Sequence, residues 1–141
     1  MEKKEYVAFI FAHFALFVVF VWFGGLKVLG LSPATPLVTE LYNHTLGLVI
    51  PVAVETFVRW FGAFEVLIGV LFVIPKMEKV AIGLLIPHMV TTMLPLIFLP
   101  NITWTGFFVP TLEGQYIIKN LIILALVAAM FVDLHKNHKE V

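Results

Sequence analysis

The chain contains no cysteine, and that absence removes disulfide exchange, thiolate metal sites and cysteine-ligated iron–sulfur clusters together. Any redox role must therefore run through a bound group. Charge is scarce as well: 13% of residues are charged, against about a quarter in an ordinary soluble domain. Nine basic and nine acidic residues cancel, so the chain has neither the basic stripe of a nucleic-acid binder nor an acidic tail. Nucleic acid is excluded as a partner. What fills the chain is apolar, 61% of 141 residues, with a mean hydropathy of +1.03. That composition excludes an ordinary water-soluble domain. At roughly 20 residues per crossing, the length allows about four membrane spans with short connections and no large extramembrane domain.

Four apolar runs fit that expectation, at residues 6–26, 57–75, 80–100 and 116–132. The first is interrupted only by His13 and ends Trp22-Phe23-Gly24-Gly25-Leu26-Lys27, which lacks the small-residue cleavage pattern of a secretory signal and reads as a retained span. The last is short for a crossing and carries Lys119 and Asn120 inside it. Lys3, Lys4, Lys76, Lys79, Lys136 and Lys139 all fall on one side of an even-numbered bundle, so the positive-inside rule places both termini in the cytoplasm. The expected fold is an all-α integral membrane four-helix bundle, a single transmembrane domain over residues 1–141 in the cell (inner) membrane. The two longer connections then face outward. Residues 36–47 of the first read as a short helix lying in the interface, with Leu37, Leu41 and Leu48 toward the lipid. Asn43-His44-Thr45 and Asn101-Ile102-Thr103 match the glycosylation tripeptide, a pattern that also arises in plain loops.

Ionisable groups inside a span cost about 2.5–3.5 kcal/mol each on the insertion scale, so each calls for a reason. Counting ~1.5 Å per residue, His13 and His88 lie about 10–12 Å from the cytoplasmic side and Glu65 about 15 Å. Lys27, Arg59 and Lys119 form a second layer nearer the outer surface, with Glu55 and Glu113 at similar height. One reading pairs these charges: Glu55 with Arg59 across one helical turn, and Lys27 and Lys119 either snorkelling to headgroups or meeting Glu113 and Glu40. The other makes Lys27, Arg59 and Lys119 the lining of an outward pocket for an anionic or quinone-like head group, with Trp22, Trp60, Tyr116 and Trp104 as walls. Glu65, set among Gly62, Ala63 and Gly69, must pair with a cation such as Lys119 or Lys27, or stay protonated beside a substrate. His13 and His88 stand either as hydrogen-bonded core residues or as a haem or metal pair.

Three stretches resemble a known family. The apolar run closing in Gly24-Gly25-Leu26-Lys27, Glu65 followed by Gly69, and Tyr116-Ile117-Ile118-Lys119-Asn120-Leu121 together resemble the DoxX-like membrane proteins over residues 7–132. Asn120 departs from the aspartate that often follows the lysine in that family. The resemblance implies a four-helix membrane subunit with both termini inside. It also implies association with quinone-linked sulfur oxidation or with membrane redox complexes that answer oxidative stress, and, in distant animal relatives, chaperoning of receptor assembly. The shared polar positions are Lys27, Glu65 and Lys119. The expected function is an accessory oxidoreductase subunit that holds a quinone or small anion through Lys27, Arg59, Lys119, Asn120, Trp22 and Trp60, with Glu65 moving a proton. The alternative is a non-enzymatic scaffold or chaperone. Beyond the lipid bilayer, either reading calls for a protein partner or a second copy of the chain.

Overall fold

A computed structural model describes residues 3–137 of the chain. The elements run α1 (Lys3–Val28), α2 (Thr35–His44), a 3₁₀ turn at Leu46–Leu48, α3 (Val54–Val73), α4 (Glu78–Met93), and the single turns α5 (Pro95–Phe98) and α6 (Pro100–Thr103). A small hairpin follows, β1 (Trp104–Gly106) with β2 (Val109–Pro110), and α7 (Leu112–Asn137) closes the fold. Four segments are long and apolar enough to cross a membrane: Glu5–Val28, Val54–Val73, Glu78–Phe98 and Leu112–Leu134. The chain is a multi-pass helical membrane protein. The hairpin is the one departure from all-α structure among the described residues.

Local chemistry sets the boundaries, and two of them differ from the sequence expectation. The last helix starts at Leu112 rather than residue 116 because the Thr111 hydroxyl accepts the Gly114 N–H at 3.1 Å, an N-cap that satisfies one orphan donor of the first turn. The fourth span is therefore long enough to cross, and Lys119 and Asn120 lie inside a formed helix. The third span is interrupted near Leu94, where Pro95 cannot donate to the preceding turn and opens α5 instead. Pro87, by contrast, is carried within α4. Of the lysines used to orient the chain, Lys3 and Lys4 open α1 and Lys136 lies in the last turn of α7, while Lys139 lies outside the described residues.

Helix order in space follows from side-chain neighbours. His13 in α1 meets Phe72 at the end of α3 and Glu78 at the start of α4, and Asp133 near the end of α7 acts on the same glutamate. The start of α1, the α3–α4 turn and the end of α7 thus share one end of the bundle, as an up-and-down arrangement requires. Helix α1 packs on α3, α3 on α4, and α4 on α7.

The buried positions of α1 are His13, Leu16, Phe20, Gly24 and Lys27, spaced by three and four residues, which is the seam period of a packed helix pair. On α3 the matching set includes Val58, Gly62, Glu65, Ile68 and Phe72. The two backbones meet where glycine faces glycine: a Cβ at Gly62 would stand 2.6 Å from the Gly24 carbonyl oxygen, and one at Gly24 2.5 Å from the Gly62 oxygen. Lipid tails are as apolar as leucine, so such close contact rather than a hydrophobic drive holds helices together in a membrane.

The first connection contains the helix α2, and what anchors it is not one of its leucines. Tyr42 is the buried residue of α2, with its hydroxyl 2.8 Å from the Val52 carbonyl and 3.0 Å from that of Ile50, and its ring 4.5 Å from Phe57 of α3. Leu37 and Leu41 are half-buried, and Leu48 lies beyond α2 in the 3₁₀ turn, exposed.

Candidate functional site

Three helices converge on one buried carboxylate. Glu65 of α3 receives the Lys27 ammonium of α1 at 2.6 Å on Oε2, and His88 of α4 approaches Oε1 with Nε2 at 3.2 Å. The three side chains are 8%, 8% and 1% exposed. Sequence depth puts the Lys27 backbone near the outer end of its helix, yet the side chain does not go outward. Side chains on a helix lean toward its N-terminus, and Gly62 opposite Lys27 leaves room for the stem, so the ammonium reaches down to Glu65. Snorkelling, or pairing with Glu113 or Glu40, is thereby corrected for Lys27.

The cluster sits in an aromatic shell. Ring centroids of Phe61, Phe20 and Phe64 lie 4.8, 5.8 and 5.9 Å from the His88 ring, and Lys27 Nζ stands 6.0 Å from the centre of Phe61. In so dry an environment an unpaired charge is costly, which is why Lys27 and Glu65 neutralise one another. His88 is less well served. Its Nε2 is near Glu65 but off the line of a formed hydrogen bond, and Nδ1 has no hydrogen-bond partner among the described residues, although both atoms are buried. A buried imidazole nitrogen without a partner retains a lone pair, or a proton, for something else.

The remaining expected site residues are not gathered here. Arg59 is exposed on α3, and among the described residues no ion pair joins it to Glu55. Lys119 is exposed on α7, its ammonium 5.4 Å from the centre of its own helix neighbour Tyr116. Trp22 and Trp60 are 64% and 62% exposed and turn away from Glu65. A shared pocket of Lys27, Arg59 and Lys119 is therefore not formed: the helical turn that buries Glu65 and Lys27 puts Arg59 and Trp60 on another face of α3. Asn120 ties two spans together, its amide donating to the Thr92 hydroxyl at 3.4 Å while that hydroxyl donates to the Met89 carbonyl at 2.8 Å.

His13 belongs to a second polar cluster. Its Nδ1 lies 2.8 Å from the Phe9 carbonyl oxygen and its Nε2 3.3 Å from Glu78 Oε1. His13 precedes Phe20, the α1 neighbour of His88, by seven residues, about 10 Å along the helix. The two histidines answer different carboxylates and do not converge on one metal or haem iron. Glu78 escaped the sequence reading because it lies just outside the apolar run that begins at residue 80. His88 was singled out, but its partner was not. The available signal was periodicity: Glu78, Leu85 and His88 share the buried stripe of α4.

Compared with known proteins, the chain matches no family model, no curated protein and no solved structure.

Proposed function

We propose that this multi-pass protein is a small subunit of a quinone-linked or oxidative-stress redox complex in the cell membrane, of the DoxX-like kind its helix motifs resemble. In this reading both termini are cytoplasmic, α2 lies along the outer interface, and the Lys27–Glu65–His88 cluster is the ligand site. The observation that carries it is the unpartnered Nδ1 of a buried His88, fixed beside a neutralised Lys27–Glu65 pair. A quinol head group placed against Phe61 would offer an O–H to that lone pair. Glu65, 3.2 Å from His88 Nε2, is placed to stabilise the imidazolium that forms when the proton is taken, while Lys27 pairs with its other oxygen. Of the two protons a quinol gives up on oxidation, His88 takes one, and the second leaves with the two electrons to a base and a redox centre of a partner protein, since this chain has no thiolate of its own. Phe61 is half-buried with its ring centre 4.8 Å from that of His88, so it is the aromatic face against which a head group would rest.

The experiment is mass spectrometry with an absorption spectrum on protein extracted gently from its native membrane. A co-purifying quinone that is lost in His88→Phe is the expected result. Protein free of quinone, from membranes that contain it, contradicts the reading.

A second reading has its own observation. Lys27 and Glu65 satisfy one another so closely that they also serve as an internal clamp, and the hairpin presents Phe107 and Phe108 at 92% and 79% exposure, a surface suited to a partner protein. This is the scaffold or chaperone. It expects Glu65→Gln to lower stability and partner capture together, with no effect specific to a quinone.

A further inference from the structure

The second polar cluster carries a conclusion of its own, independent of any ligand at Glu65. His13 and Glu78 are buried, with side chains 11% and 12% exposed. The Phe9 carbonyl can only accept, so His13 Nδ1, at 2.8 Å from it, must carry hydrogen. That assignment fixes the rest of the ring. If His13 is neutral, Nε2 is a bare lone pair, and it faces a carboxylate oxygen at 3.3 Å. Two acceptors at that distance repel, and Glu78 Oε1 has no formed hydrogen bond among the described residues, so His13 Nε2 is its nearest available partner. The arrangement is stable only with a proton between them, either on Glu78 as a carboxylic acid donating to Nε2 or on Nε2 as an imidazolium facing a carboxylate. In both forms the pair has no net charge.

We propose that His13 and Glu78 form a proton-binding site that holds one exchangeable proton as a unit, at the end of the bundle where α1, the α3–α4 turn and α7 meet. The other titratable group acting on the glutamate is Asp133 of α7, which is exposed; α3 contributes the ring of Phe72, centred 6.0 Å from the imidazole, and no charge. As the pH rises, loss of that proton leaves acceptor against acceptor with a second carboxylate nearby, and the contact between α1 and α4 loosens. The ligand is a proton from the aqueous phase at this end of the bundle.

The test is nitrogen NMR of histidine-labelled, full-length protein in lipid nanodiscs across pH. His13 is expected to keep hydrogen on Nδ1 throughout, with only Nε2 titrating. Glu78→Gln is expected to lower the Nε2 midpoint, because a carboxylate beside an imidazolium favours the charged form. Glu78→Asp is expected to restore part of that shift. A His13 ring that carries hydrogen on Nε2 alone, or a midpoint unmoved by Glu78→Gln, overturns the proposal. The wild-type tautomer decides the first point even if a variant does not fold.

Discussion

Lys27 and Lys119 are both lysines within membrane spans, and the fold treats them oppositely. Lys27 faces a glycine of the adjacent helix, sinks between α1 and α3 and closes on Glu65, whereas Lys119 stays exposed above Tyr116. The difference lies in the neighbours. Backbones that touch through Gly24 and Gly62 leave a narrow, dry channel in which a charge must be matched, and α3 supplies the match one turn further on. Around Lys119 the contacts between α7 and α4 run through Asn120 and larger side chains, and nothing draws the lysine inward. Burial of charge here is a property of the seam rather than of the residue type.

Five substitutions bear on that contrast, one of them as the second change in a double variant. The largest effect is expected from Gly62→Leu, since even a Cβ there meets the Gly24 backbone at 2.6 Å. Separating α1 from α3 should cost more than the ~1–3 kcal/mol typical of overpacking, and loss of the folded bundle in a detergent unfolding titration is the expected reading. Lys27→Met comes next. Stranding Glu65 without its cation should cost about 3–5 kcal/mol, and adding Glu65→Met should recover much of that loss, because a buried pair exchanged for apolar groups is often near neutral. Thr111→Ala removes the N-cap of α7 and should cost about 1 kcal/mol, with fraying of the first turn visible as faster amide exchange around Gly114. Lys119→Met should change stability by no more than about 0.5 kcal/mol. An effect at Lys119 comparable to that at Lys27 would dissolve the distinction.

Much of the frame was legible in the sequence. Hydropathy alone locates four spans, and depth counting alone marks His13, Lys27, Glu65 and His88 as residues that need a reason. What it missed depends on directions that residue numbers do not carry. Pairing of Glu65 with Lys27 is among the sequence expectations, but counting along the backbone puts Lys27 in an outer layer, whereas a lysine stem leaning toward the helix N-terminus carries its charge down to Glu65. Arg59 and Trp60 were grouped with Lys27 by height, although they occupy a different face of α3 from Glu65. The start of α7 was set four residues late because a threonine cap in a loop has no hydropathy signature. Glu78 lay outside its span for a similar reason: a carboxylate at the margin of an apolar run reads as a boundary until its partner on another helix is known. Tyr42 was hidden in a connection whose leucines were more conspicuous.

The role proposed for His88, seated against Glu65, is to bind a quinol head group rather than only to pack. The most direct measurement is the thermal unfolding midpoint of the purified protein in nanodiscs, with and without a short-chain ubiquinol, for wild type and His88→Gln. Binding to the folded state alone raises the midpoint in proportion to occupancy. The account predicts an upward shift in wild type that His88→Gln abolishes while leaving the unliganded protein folded. The same shift in both proteins, or none in wild type at saturating quinol, would contradict it.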